Sequence, residues 1–256
     1  MEKLLEVSEL SKSFSGLTAL DKVNLDIEKG EIVSLIGPNG AGKTTFFNCL
    51  TGVYKPTDGQ INYLNKPVDL KRHIPHLIAR LGIARTFQNI RLFQNMTVLE
   101  NVMVAAAIRD KTSFFRLLLG NKAAKTASAS ISAQSLELLH FFGLSDKIYQ
   151  LATNLSYGEQ RKLEIARALA TGPVLLLLDE PAAGMNATET KELISLIRKI
   201  RERGISIFLI EHDMKLVMSI SDRVFVLNYG KNIASGLPSQ IQKNRQVIEA
   251  YLGENV

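Results

Sequence analysis

Two kinds of apolar pattern alternate along the chain. Ile32 to Ile36 is a short apolar run leading into a glycine-rich turn, and Val174 to Leu178 is an unbroken apolar run. Runs of this length suit central parallel strands covered on both faces. Ser206 to Ile210 reads as a further strand, with Val224 to Leu227 and Ile233 to Ala234 as shorter ones. Between these runs the period lengthens. Thr188 to Glu202 sets Leu193, Leu196, Ile197 and Ile200 on one helical face, and helices are also expected from Lys43 and from Met214. At the N-terminus Leu5 and Val7 alternate with Glu6 and Glu9, the pattern of a first strand. The order of elements predicts a mostly parallel α/β core.

The middle of the chain has a different character. Val98 to Ile108, Ile131 to Phe142 and Glu159 to Ala170 favour helix, and Arg109 to Ser130 between the first two is polar, rich in small residues and poorly patterned. This block reads as a helical subdomain, residues 91–160, inserted into a core made of 1–90 and 161–256, with 109–130 a mobile excursion. There is no internal repeat.

Composition narrows the class. A chain of 256 residues fits one or two domains and buries roughly 70–75% of its unfolded surface without staples. The single cysteine, Cys49, allows no internal disulfide and points to a reducing compartment, with core packing as its natural role. The N-terminus has no continuous apolar core of a signal peptide, and no apolar stretch approaches the ~20 residues of a bilayer span. The formal charge is +6, from 31 basic and 25 acidic residues, and the basic positions are mixed with acids, as in Lys191 to Arg203. That dispersal fits an ordinary solvated surface better than the one-sided patch of a nucleic-acid binder.

Gly37-Pro38-Asn39-Gly40-Ala41-Gly42-Lys43-Thr44 fits the phosphate-loop pattern G-x-x-x-x-G-K-[ST]. Its glycines let the backbone turn tightly and approach phosphate oxygens, and converging N–H groups and a helix N-terminus then face an anion. Lys43 supplies a positive charge for the β- and γ-phosphates, and the Thr44 hydroxyl suits Mg²⁺. An apolar strand ending in Asp179 and Glu180 is a second feature of nucleoside triphosphatases. Asp179 is placed to hold Mg²⁺, and Glu180, one residue on, to polarise an attacking water. A guanine-specificity element is not evident: Asn65-Lys66-Pro67-Val68 has Val68 where an aspartate belongs. His73, His76 and His140 form no metal-ligand pattern.

Leu155-Ser156-Tyr157-Gly158-Glu159-Gln160 resembles the signature of the ABC ATPase family, L-S-G-G-Q, with Tyr157 replacing one glycine and Glu159 before the glutamine. The resemblance covers essentially the whole chain. It implies a RecA-like P-loop NTPase fold with N-terminal antiparallel strands and one ATP-binding domain over 1–256. It implies ATP and Mg²⁺ as cofactors, with Gly37 to Thr44 and Thr45 around the phosphates. Gln88, in Thr86-Phe87-Gln88-Asn89, matches the glutamine loop that senses Mg²⁺ and γ-phosphate, with Gln94 a rival. His212 matches the switch histidine. Phe14 lies where the family stacks an aromatic ring on adenine, or is a core residue. Ser156, Gly158 and the helix after them form a second anion site that faces the phosphate loop of another ATPase subunit, a copy or a paralogue, so that ATP is sandwiched between two chains. Pro181 to Asn186 matches the loop that crosses the dimer interface, with Asn186 where many members have aspartate.

A finer resemblance is to the ATPases of branched-chain amino-acid importers. It rests on Ala84 to Asn89 followed by Leu92-Phe93, the Ser156-Tyr157-Gly158-Glu159-Gln160 variant, Glu180 to Asn186, Ile210 to Met214, the insert and the tail Ile248 to Glu254. This implies two membrane permeases and an external substrate-binding protein as partners, and a peripheral place on the cytoplasmic face of a bacterial inner membrane. Related systems that import urea or amides, or export lipopolysaccharide, stay open as alternatives. A soluble ABC ATPase acting on nucleic acid is disfavoured, because the chain has neither a second cassette nor a coiled-coil insertion nor zinc-finger cysteines. Ile90, Leu92, Phe93 and Met96, interrupted by Asn89, Arg91 and Asn95, are expected to line a groove for a permease helix or to pack the subdomain.

Overall fold

Alternation and apolar runs translate into two sheets. The computed structural model describes residues 2–70, 74–109 and 122–252. In chain order its first elements are β1 (Lys3–Phe14), β2 (Leu17–Glu28), β3 (Ile32–Ile36), α1 (Lys43–Leu50), β4 (Asp58–Tyr63), β5 (Lys66–Pro67), α2 (Pro75–Arg80) and β6 (Ile83–Arg85). There follow α3 (Val98–Arg109), α4 (Lys122–Phe141), α5 (Tyr157–Ala170), β7 (Leu175–Asp179), α6 (Ala187–Glu202), β8 (Ser206–Ile210), α7 (Met214–Ile220), β9 (Arg223–Asn228), β10 (Lys231–Gly236), α8 (Pro238–Ile241) and α9 (Arg245–Leu252). They divide into two compact units, one of Met1–Arg85, Val174–Ala182 and Ile197–Val256, the other of Thr86–Pro173 and Ala183–Leu196.

In the first unit a six-stranded sheet runs β10-β9-β3-β8-β7-β6. Its strands are parallel from β9 to β6, and β10 pairs antiparallel with β9 at the edge. Every residue of β3, β7 and β8 is buried, including the small polar Ser34 and Ser206, as their predominantly apolar sequences require. Phe46 and Phe47 of α1 pack on Phe208 of β8 with ring centroids 6.1 and 4.8 Å apart, which pins the helix after the glycine turn to the sheet. The second sheet, β2-β1-β4-β5, is antiparallel throughout and adds Leu5, Val7, Leu10, Leu20, Val23 and Ile27 to the same core. Two of the register shifts between β1 and β2, at Val7/Leu10 and Leu10/Lys12, fall where Glu9 and Lys22 take φ of 51°. The core strand expected at 174–178 begins at Leu175 and ends on Asp179, because the N–H groups of Val174 and Leu175 both donate to Gly82 O.

In the second unit α5 packs against α3 and α4. Val98 and Val102 on α3, Leu139 on α4, and Leu163, Ile165 and Ala166 on α5 are fully shielded from water. This burial goes with the placing of 161–173 in the helical unit, whereas the division from sequence assigns 161–256 to the core. A second difference concerns 109–130. Helix α4 starts at Lys122, so Lys122 to Ser130 is helical, not irregular. That segment is alanine-rich, with good helix propensity but no apolar face for a periodicity argument to detect. The remainder of the expected excursion, 110–121, lies outside the described residues, as does His73. No helix among the described residues is long and apolar enough to cross a membrane.

Candidate functional site

Residues 37–42 connect the end of β3 to the start of α1, and glycine is demanded there for two separate reasons. Gly37 and Gly42 take φ of 151° and 103°, and a Cβ on either would collide with backbone, 2.1 Å from Leu227 O and 2.7 Å from Ala19 O respectively. Gly40, at φ 79°, has open space where its Cβ would stand, which leaves the exposed rim of the loop clear for a ligand. Lys43 is buried, and its ammonium donates to Gly37 O at 2.6 Å and Pro38 O at 2.9 Å, so the loop closes on its own cation. Burial pushes the Lys43 ammonium below its usual pKa, opposed by the charges of Glu180 and Asp179. Thr44, exposed, and Thr45, half-buried, lie on the first turn of α1.

The carboxylates come to the same place from β7. Asp179 ends the strand, and its Oδ2 accepts from Arg85 Nη2 at 2.7 Å with both side chains almost fully buried. Arg85, the last residue of β6, also donates to Asn48 Oδ1 and Thr51 Oγ1, which ties Asp179 to the far end of α1. Glu180 takes φ of 48°, unusual for a residue with a side chain, and its N–H donates to Ile210 O at 2.9 Å. Its Oε1 lies 2.7 Å from Nε2 of His212, which follows β8. Lys43, Asp179, Glu180 and His212 are thus brought together within the first unit. Hard oxygen donors of the kind Mg²⁺ prefers, a carboxylate on Asp179 and a hydroxyl on Thr44, fit that ion. A buried cation, a carboxylate and a histidine beside a glycine-rich anion cradle can bind a polyphosphate and deprotonate a water against it.

Phe14 ends β1, is 37% exposed and meets the edge of Tyr54 at 5.1 Å, with Lys12 Nζ 4.7 Å above its ring. Its hairpin partner β2 passes the phosphate loop at Ala19 and Leu20. Phe14 is therefore a surface aromatic, not a core residue, and the neighbouring Tyr54 extends the platform.

The remaining expected residues lie in the second unit. Ser156 is the N-cap of α5, and its hydroxyl accepts from Glu159 N–H while Glu159 Oε2 accepts from Ser156 N–H at 3.0 Å. This capping box satisfies the start of the helix from within, and Ser156 stays exposed. The Lys147 ammonium and the Ser156 donors hold the Glu159 carboxyl below its usual range. Gly158 is buried, and a Cβ there would meet Glu189 Oε1 at 2.8 Å. Asn186 caps α6 by accepting from the N–H groups of Thr188 and Glu189, a task that needs an oxygen and not a charge. Gln88 is exposed, and the backbone around it is held by Arg161, whose Nη1 donates to Phe87 O at 2.7 Å and Nη2 to Gln88 O at 2.8 Å. Gln94 lines a cavity of about 250 Å³ with Ile90, Leu92, Ala152, Thr153 and Gln160, which leaves it an unlike companion to Gln88.

Four residues with a hand in this geometry escape a reading of the sequence: Arg85, Arg161, Glu164 and Glu211. Arg161 is wholly buried and ion-paired to Glu164 at 2.8 Å. Glu211 is 3% exposed. Their sequence contexts, next to Thr86, on an amphipathic helix and before His212, carry no spacing that would single them out.

Comparison with known proteins gives a consistent result. The profile of a family described as ABC transporter matches residues 20–183, and that of one described as Branched-chain amino acid ATP-binding cassette transporter matches residues 231–256. The chain is 51% identical over 254 residues to the High-affinity branched-chain amino acid transport ATP-binding protein LivG of Escherichia coli strain K12, with 99% of each chain covered. Among solved structures it resembles a nucleotide-free ATP-binding cassette from an ABC transporter, with a TM-score of 0.84, 30% identity, and coverage of 98% of this chain and 99% of that one. It also resembles the dimeric structure of a bacterial ABC transporter cassette, with a TM-score of 0.78, 25% identity, and 92% and 99% coverage.

Proposed function

The chain belongs to the ABC transporter family and is its ATP-binding, ATP-hydrolysing subunit, and from that premise we propose that it drives uptake of branched-chain amino acids into a bacterial cell. The observation that carries the cargo is the full-length 51% identity to a protein named for that transport. The matching C-terminal profile supports it. The subunit works as an ATP-bridged dimer with a second ATPase chain, a copy or a paralogue. It sits at the cytoplasmic face of the plasma membrane beneath two permeases, which receive solute from an external binding protein. The dimeric bacterial cassette supports the two-chain arrangement.

Within that reading the residues divide the work. Gly37 to Thr45 wrap the triphosphate, with Lys43 against the β- and γ-phosphates. Thr44, Asp179 and Gln88 would hold Mg²⁺, which when bound neutralises charge between those phosphates. Glu180 takes the proton of the attacking water, and His212, already in contact with Glu180 at 2.7 Å, orients it and contacts the γ-phosphate. Phe14 stacks on adenine. Ser156, Gly158 and the N-terminus of α5 receive the nucleotide held by the other chain. The domain acts as one ATP-binding cassette over 1–256.

The test is to delete the gene in a strain without a redundant system and follow labelled leucine, isoleucine and valine at low external concentration. Loss of all three, restored by the wild-type gene and not by Lys43→Ala, is expected. Unchanged uptake of the three overturns the cargo, and a selective loss of urea, amide or lipopolysaccharide transport reassigns it.

A further inference from the structure

The loop that carries Glu180 and the loop that carries His212 leave adjacent parallel strands, β7 and β8. Backbone pairing joins them only as far as the Glu180 N–H bond to Ile210 O. Beyond that point a buried side chain bridges the two loops. Glu211 is 3% exposed, and its Oε1 accepts from Ala182 N–H at 2.8 Å on the first loop. Its Oε2 accepts from His212 N–H at 3.1 Å on the second, and the N–H of Asp213 reaches the same carboxylate.

A buried carboxylate is a costly crossbar. Desolvation raises its pKa and the charge of Glu180 adds to the rise, while the three N–H donors oppose both. An apolar residue would avoid that cost, but it would leave the donors of both loops without an acceptor. Glu180 meanwhile sits at φ 48°, a conformation that persists only where its surroundings over-determine it. Its own N–H and the N–H of Ala182, two residues on, supply that constraint. Asp213 contributes from the other side, because it N-caps α7 and so anchors the far end of the His212 loop.

We propose that Glu211 is a positioning residue for hydrolysis: its buried carboxylate clamps the Glu180 loop to the His212 loop and thereby sets the 2.7 Å contact between those two side chains. This rests on the reading of Glu180 as the base. The contacts of Glu211 are with the backbone of the two loops, and its influence on the rate passes through Glu180.

Glu211→Gln tests the clamp. The amide keeps the shape, but its NH₂ confronts an N–H donor on one loop or the other, so one attachment is lost. A misplacement of about 1 Å costs on the order of 10²-fold in rate. The expected result for the purified full-length protein is therefore a fall in kcat of roughly 10–100-fold, with the ATP concentration for half-maximal rate within about twofold of wild type. In a Glu180→Gln background, measured by single-turnover hydrolysis of labelled ATP, the same change should cost less than about twofold, because residues acting as a unit are not additive. Glu211→Asp keeps the charge but is one methylene too short to span both loops, and it serves in the same two backgrounds if the glutamine variant does not fold. An unchanged kcat, or an equal loss in both backgrounds, overturns the proposal. If Glu180→Gln alone fails to slow hydrolysis, the assignment of the base falls instead.

Discussion

Among the described residues Arg161 is the largest side chain wholly removed from water, and it braces the helical unit. Its guanidinium pairs with Glu164, 1% exposed, at 2.8 Å, and holds Phe87 O and Gln88 O at 2.7 and 2.8 Å. Arg161→Met keeps the stem and deletes the charge. Glu164 is then buried with Arg91 N–H at 3.2 Å as its remaining hydrogen-bond donor. Removing one partner of a buried pair costs about 3–5 kcal/mol. At about 2–4 °C per kcal/mol for a chain of this size, the thermal midpoint should drop by roughly 6–20 °C. Arg161→Met combined with Glu164→Leu removes the stranded charge and should recover all but about 1–2 kcal/mol, since apolar replacement of a buried pair is often close to neutral. Circular dichroism melts of the wild type and both variants decide the matter. A single variant within about 2 °C of wild type, or a double variant no better than the single, would refute the reasoning.

Other consequences are simpler to state. Lys43→Ala should abolish tight MgATP binding in an equilibrium titration, and retention of wild-type affinity would mean the loop is misread. Gly42→Ala should do the same by another route, since its Cβ would lie 2.7 Å from Ala19 O and 2.9 Å from Leu20 Cδ2 at φ 103°; normal binding in that variant would remove the steric argument. Burial pushes the Cys49 thiol up to about 11, so at pH 8 only about one part in a thousand is thiolate. A thiol reagent should leave Cys49 untouched in the native protein and label it on unfolding, and fast native labelling would contradict its place in the core. Phe93, 46% exposed with Arg167 at 5.3 Å from its ring, and Met96 should be replaceable together by serine with ATPase activity kept and transport lost; loss of folding would assign them to packing.

Sequence reveals chemistry best where it is contiguous. The phosphate loop lies in eight successive positions and the apolar run with its two carboxylates, Val174 to Glu180, in seven, so spacing alone locates both. The runs of β3, β7 and β8 are legible for the same reason: burial on both faces leaves them almost wholly apolar, with only the small Ser34 in β3 and Ser206 at the start of β8. Leu17 to Glu28 is harder to read as a strand because the buried Leu20 and Val23 are three positions apart, across Lys22 at φ 51°, so the alternation of Val23, Leu25 and Ile27 is cut short. The capping box at Ser156 and Glu159 is written in the sequence at the usual three-residue spacing, but a reading of those residues as an anion site passes over it. What stays hidden is the wiring between distant segments. Arg85 meets Asp179 across 94 positions and Glu211 meets Ala182 across 29, and neither pairing leaves a local mark. Sequence thus shows which groups can react with a polyphosphate, and only the fold shows which buried ions hold them at the right distance.

The central claim is that Glu180 activates water against a nucleotide cradled by Gly37 to Thr45. Its most direct test compares MgATP turnover by the wild type and Glu180→Gln, which keeps size and polarity but accepts no proton. A positioned general base is worth about 10²–10⁴-fold. Hydrolysis should fall by that factor while ATP still binds, and the variant should elute as a dimer with ATP and as a monomer without it. Turnover within a few-fold of wild type would contradict the account.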